Sequence, residues 1–200
     1  DEAVRRHEEH LKRERLIQVA VVGADGWTRY SRLPMPKPLN FNDREYFGFH
    51  RSSGRDELHI SEPVMGRVTK QWAIQVTRPL QDGQKRFAGV IILAVPPPAL
   101  EVMLRDIDLG PRGVIMLALG DGTILARSGG LDQTRNITLA GWQGLAAGSA
   151  ADGHFRASGR VDGVERFFAY RKLQNYPLTV YVGQDVDAAL APYYRDRTLL

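Results

Sequence analysis

The sequence predicts an α+β protein in which a long N-terminal helix precedes two tandem five-stranded antiparallel sheets with flanking helices. Three observations predict this architecture. The chain opens on a charged helical pattern, it continues as short alternating runs separated by Gly- and Pro-containing turns, and the order of these runs occurs twice. We therefore expect a helix at 1–14 and two domains, at 15–104 and 105–200.

Residues 1–14 are predicted to form an exposed helix, because Glu, Arg, Lys and His dominate this segment. Val4 and Leu11 lie seven positions apart and form a thin apolar stripe along one helix face. We expect this helix to pair with its copy in a homodimer.

The first domain, 15–104, alternates between strand patterns and one helical segment. Its first run is rich in β-branched residues and is followed by a Gly-Ala-Asp-Gly turn signal. Asn42 or Asp43 is expected to cap the helical segment. The predicted strands are 16–22, 27–30, 57–61, 71–79 and 86–95, and the predicted helices are 42–51 and 96–104.

The second domain repeats this order of elements. Asp25 and Asp121 are 96 positions apart, and each precedes a turn glycine. The stretch that begins at Lys172 matches the one that begins at Pro79, at an offset of 93 positions. Each repeat contains a hairpin, a helical insertion, three further strands and a helix, which predicts one sheet per domain. The predicted strands are 114–119, 123–127, 153–158, 164–171 and 178–183, and the predicted helices are 139–147 and 185–195.

Composition excludes several functional classes. The 200 residues include no cysteine, so disulfides, thiolate metal sites and a cysteine nucleophile are absent. The net charge of +4 comes from 27 basic and 23 acidic residues that are interleaved along the chain. Because a nucleic-acid-binding protein clusters its basic excess, we expect no nucleic-acid partner. No apolar run reaches the roughly 18 residues of a membrane-spanning helix.

Three stretches of the first domain resemble a known family. They are Asn42–His50 (NDREYFGFH), Ile60–Arg67 (ISEPVMGR) with its continuation through Lys70–Ile74 and Thr77-Arg78, and Phe87–Ile91 (FAGVI). Together with a helix followed by two sheets, they resemble the double Cache (double PDC) sensor domains, which contain two tandem PAS-like domains. The resemblance covers nearly the whole chain and is closest to sensors fused to diguanylate cyclases or histidine kinases.

This resemblance implies a non-enzymatic, extracytoplasmic ligand-binding segment of a bacterial transmembrane receptor, at the periplasmic face of the inner membrane. It implies membrane segments outside the chain on both sides. It also implies a cytoplasmic output module, with a diguanylate cyclase as the first expectation and a histidine kinase as the second. A ligand in the first domain, which would lie distal to the membrane, is expected to shift the equilibrium between two arrangements of a dimer.

Five residues of the first domain are candidate ligand contacts. A small carboxylate needs a cation that bonds both of its oxygens, a hydroxyl donor and an aromatic wall. Tyr46 and His50 are four positions apart and share a helix face, whereas Trp72 and Arg78 lie at an even spacing on one strand. With Arg44, these residues form the candidate site for an organic acid or an amino acid.

Structural roles remain open for the same residues and their neighbours. Trp72 is equally consistent with a core position, Arg78 with an exposed strand end, and Tyr46 with packing of the helix on the sheet. Asp43 fits a helix cap better than a ligand contact, and Arg67 follows a glycine and fits a turn.

Nothing in the sequence predicts a metal, a cofactor or a catalytic set. His7 and His10 are three positions apart with no third ligand, and neither a Gly-x-Ser-x-Gly elbow nor a Walker loop is present. Two further functions remain open beside the sensor. One is a PAS-like protein-interaction or dimerisation module without a small ligand, and the other is an enzyme whose catalytic residues the sequence does not reveal.

Overall fold

The computed structural model describes residues 18–105, 107–128, 138–142 and 150–197. The predicted helix at 1–14 lies outside the described residues, as do residues 143–147 of the predicted helix at 139–147. The chain divides into two compact units, Asp1–Leu100 and Glu101–Leu200. Each unit contains one five-stranded antiparallel sheet, as the sequence predicts.

The first unit contains strands β1 (Gln18–Gly23), β2 (Thr28–Ser31), β3 (His59–Met65), β4 (Trp72–Gln81) and β5 (Phe87–Val95). Helix α1 (Glu45–Ser53) lies in the connection between β2 and β3, and helix α2 (Pro97–Arg105) follows β5. The spatial order of the strands is β2-β1-β5-β4-β3, so β5 lies at the centre of the sheet with β1 and β4 on its two sides.

The second unit contains strands β6 (Val114–Leu119), β7 (Ile124–Arg127), β8 (Asp152–Ser158), β9 (Glu165–Lys172) and β10 (Leu178–Asp185), followed by helix α3 (Val186–Arg197). Their spatial order, β7-β6-β10-β9-β8, is that of the first unit with each strand replaced by its counterpart. The repetition predicted from the sequence is therefore confirmed at the level of sheet topology.

Equivalent backbone hydrogen bonds extend the repetition to the connections. The N–H of Phe41 donates to the carbonyl of Gly26 at 2.8 Å, and the N–H of Leu139 donates to the carbonyl of Gly122 at 2.8 Å. In each unit this bond ties a residue of the connection that follows the first hairpin to the turn of that hairpin. The two connections therefore pass the same place on their sheets.

The core of the first unit lies between the sheet and α1. Apolar residues alternate along β1 and β5 and meet the buried face of the helix, as expected for a sheet covered on one side. An edge-to-face pair between Phe47 and Phe87, with ring centres 5.5 Å apart, joins the helix to the sheet. The core residues are Ala20, Val22, Phe41, Tyr46, Phe47, Val90 and Ile92.

The start of α1 differs from the expectation for a capped helix. The helix begins at Glu45, and Arg44 occupies the N-cap position without a side-chain hydrogen bond to the helix. Asp43 is therefore not a cap, and its carboxylate instead accepts a hydrogen bond from Arg67. The capping prediction was wrong here because a long-range ion pair engages the side chain that the local pattern assigned to the helix end.

The described helices are short. The longest, α3, has 12 residues and contains a proline, Pro192. In the ranges given above, no helix combines the length and the apolar character that crossing a bilayer requires. Residues 140 and 141, within the predicted insertion helix of the second unit, form a turn instead.

Candidate functional site

An open pocket lies on one face of the first sheet. It takes up about 430 Å³, including the solvent at its mouth. Strands β1, β4 and β5 supply its floor, the start of α1 supplies a wall, and the connection between β3 and β4 supplies its cover. The lining residues are Gln18, Ala20, Phe41, Arg44, Tyr46, Val64, Met65, Gly66, Arg67, Val68, Thr69, Gln75, Ile92 and Ala94.

The floor consists of residues that face one another across three neighbouring strands. Gln18 of β1 pairs with Ala94 of β5, and Ala94 pairs in turn with Gln75 of β4. Ala20 and Ile92 form the next pair on the same face, two residues along. Because side chains alternate between the faces of a strand and cross-strand partners share a face, these five side chains project together.

Two amides stand in this otherwise apolar floor. Gln18 and Gln75 are only 8% and 6% exposed. Nε2 of Gln18 donates to Oγ of Ser31 at 3.0 Å, and Nε2 of Gln75 donates to the backbone carbonyl of Ala73 at 3.5 Å. Burying an amide costs free energy unless it is hydrogen-bonded. Two such groups beside small apolar residues favour a surface built for polar contact with a ligand.

Arg67 brings a guanidinium group from the cover to the pocket. It donates to the backbone carbonyl of Asn40, and its Nη2 donates to Oδ2 of Asp43 at 2.6 Å. The guanidinium carbon lies 5.3 Å from the centre of the Phe41 ring, within the range of a cation–π contact. The hydrogen bond from Arg67 lowers the pKa of Asp43, which keeps this carboxylate ionised. These contacts hold the guanidinium in one place.

Arg44 supplies a second guanidinium group, from the start of α1. Its Nη2 donates to the backbone carbonyl of Met65 at 3.2 Å, across the pocket mouth. Within the described part of the chain it forms no ion pair, although its charge helps to lower the pKa of the neighbouring Asp43. Tyr46, 4% exposed, lies two residues further along. Burial raises the pKa of its phenol, which therefore stays neutral and keeps its proton for hydrogen bonding.

The structure brings together two of the five residues predicted for the site. Arg44 and Tyr46 line the pocket, whereas His50, Trp72 and Arg78 do not. His50 is buried one helical turn after Tyr46, with its Nε2 2.9 Å from Oγ1 of Thr77. It therefore fastens α1 to β4 beside the pocket.

Trp72 and Arg78 lie on the other face of β4. Their positions alternate with that of Gln75, so the pleat directs them away from the pocket floor. Trp72 is 46% exposed, and Arg78 forms a bidentate ion pair with Asp56 at 2.7 and 3.0 Å. The even spacing correctly places both on one side of the strand, but this side is opposite the pocket, because periodicity does not specify which face is covered.

Among the lining residues that the sequence did not predict are two buried amides, Gln18 and Gln75, and a second arginine, Arg67. Gln18 and Gln75 interrupt two apolar strand patterns, and a polar residue at an inward position is the signal that could have identified them. Arg67 lies in a connection, where the sequence contains no periodicity from which its direction can be inferred. Its role depends on Asn40 and Asp43, which are more than 20 positions away.

In the second unit, an aromatic core fills the corresponding space. The N–H of Trp142 donates to the carbonyl of Leu139 at 2.9 Å, just as that of Arg44 donates to Phe41 at 3.0 Å. Trp142 is therefore the counterpart of Arg44. Its ring lies 4.7 Å from that of Phe168 and is 6% exposed. Where the first unit has a cation beside a pocket, the second has a buried indole.

The floor positions also differ between the units, since polar residues of the first unit are replaced by apolar residues in the second. In the first unit, Gln18 and Gln75 flank Ala94 across the sheet. The equivalent residues of the second unit are Val114, Phe168 and Gly183. Both amides are thus replaced by apolar side chains, and the Phe168 ring packs against Trp142. The first unit thus has polar groups around an open pocket, whereas apolar side chains occupy the equivalent positions of the second unit.

A metal site receives no support from the described residues. Within these ranges, no group of three His, Asp or Glu side chains is placed to hold a metal ion. The polar groups that converge on the pocket are guanidinium, phenol and amide groups. Guanidinium groups cannot ligate a cation, so the pocket suits an anion better.

Solved structures of other proteins share this fold, among them three extracellular or ligand-binding domains. An extracellular domain assigned to a histidine kinase, rpHK1S-Z16, is 27% identical, with a TM-score of 0.72 over 88% of this chain and 73% of that chain. The ligand-binding domain of the Pseudomonas aeruginosa chemoreceptor PctB, in complex with L-Arg, is 20% identical, with a TM-score of 0.66 over 88% and 74%. That of the Pseudomonas fluorescens chemoreceptor CtaA, in complex with L-isoleucine, is 19% identical, with a TM-score of 0.63 over 88% and 71%.

A family match covers nearly the whole chain. No curated protein sequence gives a significant match, but the sequence profile of the Cache domain (dCache_1) matches residues 1–193. Cache sensor domains are ligand-binding modules without catalytic activity. This chain therefore belongs to the Cache domain family, and the segment is not an enzyme.

Proposed function

We propose that this chain is the extracellular ligand-sensing domain of a bacterial transmembrane signalling receptor, and that the pocket of its first unit binds a small carboxylate. One observation carries the proposal. Arg44 and Arg67, from distant parts of the chain, line one pocket together with the neutral phenol of Tyr46. Guanidinium groups bind carboxylates through charge-assisted hydrogen bonds, and a phenol adds a further donor.

The relatives support a sensor function. The 27% identical structure is described as an extracellular domain, and the PctB and CtaA structures are ligand-binding domains of chemoreceptors that hold amino acids. Both of these amino acids carry a carboxylate. The contrast between the two units supports the first as the ligand-binding unit, because aromatic side chains occupy the equivalent space in the second.

Substitution of the arginines tests the proposal. Calorimetric titration of the purified chain with short organic acids, amino acids and amines is expected to identify at least one carboxylate ligand. Arg44→Gln removes the cation that lacks a carboxylate partner in the described chain, and we expect it to weaken this binding by about tenfold or more. Arg67→Gln is expected to weaken binding too, with some loss of stability because Asn40 and Asp43 lose a partner.

Arg78→Gln is the matched control, since this arginine lies on the opposite face of β4 and is expected to leave the affinity unchanged. Equal affinities of the wild-type chain and Arg44→Gln would contradict the proposed site. If no compound of the panel binds, the alternative function of a protein-interaction module is favoured instead.

The proposal includes the setting of the domain in its receptor. The segment would lie on the periplasmic face of the inner membrane and be tethered by membrane segments outside the chain. It would pair as a homodimer through residues 1–14 and control a cytoplasmic module. A histidine kinase is supported by the 27% identical relative, and a diguanylate cyclase remains the expectation from the sequence resemblance.

Sedimentation velocity measures the proposed pairing. We expect the wild-type chain to form a dimer at micromolar concentrations. Leu11→Gln should shift it toward the monomer, because it removes half of the apolar stripe that residues 1–14 present. Arg6→Gln, on the opposite side of the predicted helix, is the control. A wild-type chain that stays monomeric would contradict pairing through this segment.

A further inference from the structure

All charged side chains among the described lining residues of the pocket have the same sign. Arg44 and Arg67 contribute two guanidinium groups, and no Asp or Glu is among them. The carboxylate of Asp43 bonds to Nη2 of Arg67 at 2.6 Å, but it is not a lining residue, and its side chain is 66% exposed. A ligand in this pocket therefore meets positive charge and neutral groups.

This distribution of charge matters for any ligand that carries an ammonium group beside its carboxylate. Both arginines can pair with a carboxylate. A neighbouring ammonium would be taken out of water near two cations, with no carboxylate of the described lining to pair with it. The charge of the lining therefore favours one end of an amino acid and disfavours the other.

The neutral polar groups of the floor suit a different substituent. The amides of Gln18 and Gln75 each carry both N–H donors and a carbonyl acceptor. An amide can donate to a hydroxyl or oxo oxygen and can accept from a hydroxyl, without burying a second charge. Ala20, Ile92 and Ala94 lie beside the amides and fit a short alkyl chain.

We infer that the pocket selects carboxylates that lack an ammonium group, such as short hydroxy acids, over the corresponding amino acids. The inference rests on the proposed function, because it specifies the class of carboxylate that this same site takes. It separates the ligand of this chain from the L-Arg and L-isoleucine that PctB and CtaA hold. Those structures are no more than 20% identical to this chain and share the fold with it.

Matched pairs of ligands test the selection. L-lactate and L-alanine, 2-hydroxy-3-methylbutanoate and L-valine, and L-malate and L-aspartate each differ by a hydroxyl in place of an ammonium. For the pair that binds best in calorimetric titration, we expect the hydroxy acid to bind about tenfold tighter or more. An amino acid that binds as tightly as its hydroxy acid would overturn the selection while leaving the proposed carboxylate site intact. If neither class binds, the proposed function itself fails.

A charge introduced into the floor tests the cause of the selection. Gln75→Glu places a carboxylate there, so the ratio of the two affinities should shift by about tenfold toward the amino acid. Gln75→Leu removes the same amide without adding a charge, so the shift measured for Gln75→Glu should exceed any shift measured for Gln75→Leu. Gln18→Glu, on the other side of Ala94, tests the same expectation if Gln75→Glu does not fold. A folded Glu variant with an unchanged ratio would overturn the inference.

Discussion

His50 and His59 link the stability of the first unit to pH. His50 is 1% exposed, its Nδ1 has no hydrogen-bond partner, and its ring centre lies 6.0 Å from that of His59. Burial lowers the pKa of His50, and a charge on His59 would lower it further, whereas Glu57 acts in the opposite direction. His59 itself lies 3.2 Å from a carboxylate oxygen of Glu45.

We expect the free energy of unfolding to fall as the pH decreases from 7.5 to 5. A histidine whose pKa is lowered by folding binds protons more readily in the unfolded chain, so stability is present above pH 6.5 and is lost as the pH falls through the lowered value. Urea unfolding at several pH values measures this slope. His50→Gln should flatten it, and His154→Gln, at an exposed position, should leave it unchanged. An equal slope in the wild-type chain and His50→Gln would argue against His50 as its source.

At the scale of elements, β5 depends on one glycine for its pairing with β1. Gly89 has a φ of 148°, and a Cβ at this position would lie 2.1 Å from the backbone carbonyl oxygen of Val22. That distance is far below a van der Waals contact, and the neighbouring atom is backbone, which cannot rotate away. The two central strands of the first sheet therefore approach each other only because position 89 has no side chain.

Gly89→Ala is expected to lower the free energy of unfolding by about 2–4 kcal/mol, because the central strands must separate or shift register. Thermal and urea unfolding measure the loss. Gly83→Ala, in the turn between β4 and β5, is the matched control, since a Cβ there meets nothing within 4 Å. A Gly89→Ala variant as stable as this control would contradict the close approach.

Across the whole molecule, the two units have the same sheet topology but differ in what fills the space beside the sheet. In the second unit, Trp142 packs against Phe155, Phe168 and Tyr181, with ring centres 4.9, 4.7 and 5.8 Å away. These contacts close the space that remains open in the first unit. The duplicated fold therefore contains one unit with an open pocket and one with an aromatic core in the equivalent space.

Trp142→Ala tests whether the core of the second unit contributes to stability without contributing to ligand affinity. Loss of this buried indole should lower the free energy of unfolding by about 3–5 kcal/mol, while the affinity for a carboxylate ligand stays unchanged because the pocket belongs to the first unit. Chemical unfolding and calorimetric titration of the same variant provide both readouts. Tyr176→Ala, an exposed aromatic of the second unit, should affect neither. A loss of affinity with Trp142→Ala at a temperature where the variant is folded would contradict this division.

Much of the architecture follows from local sequence. Alternating apolar residues, turn glycines and the repeated order of these signals predict both sheets, since strand and turn preferences depend on neighbouring residues. The predicted end of α1 lies within two residues of the observed end, because the helix stops at a local signal, Gly54. The start of the helix differs, because Asp43 bonds to Arg67 from a distant connection. Two of the five predicted contact residues, Arg44 and Tyr46, line the pocket.

The composition of the pocket depends on contacts between distant segments. Gln18 and Gln75 meet only because β5 lies between β1 and β4, and Arg67 reaches the site through partners far away in the chain. Periodicity correctly placed Trp72 and Arg78 on one side of β4, but which side is covered depends on where α1 packs. Local patterns thus determine the elements and their repetition, whereas the tertiary structure decides which face of the sheet carries the pocket, since pairing and packing between remote strands are not encoded in any one stretch of sequence.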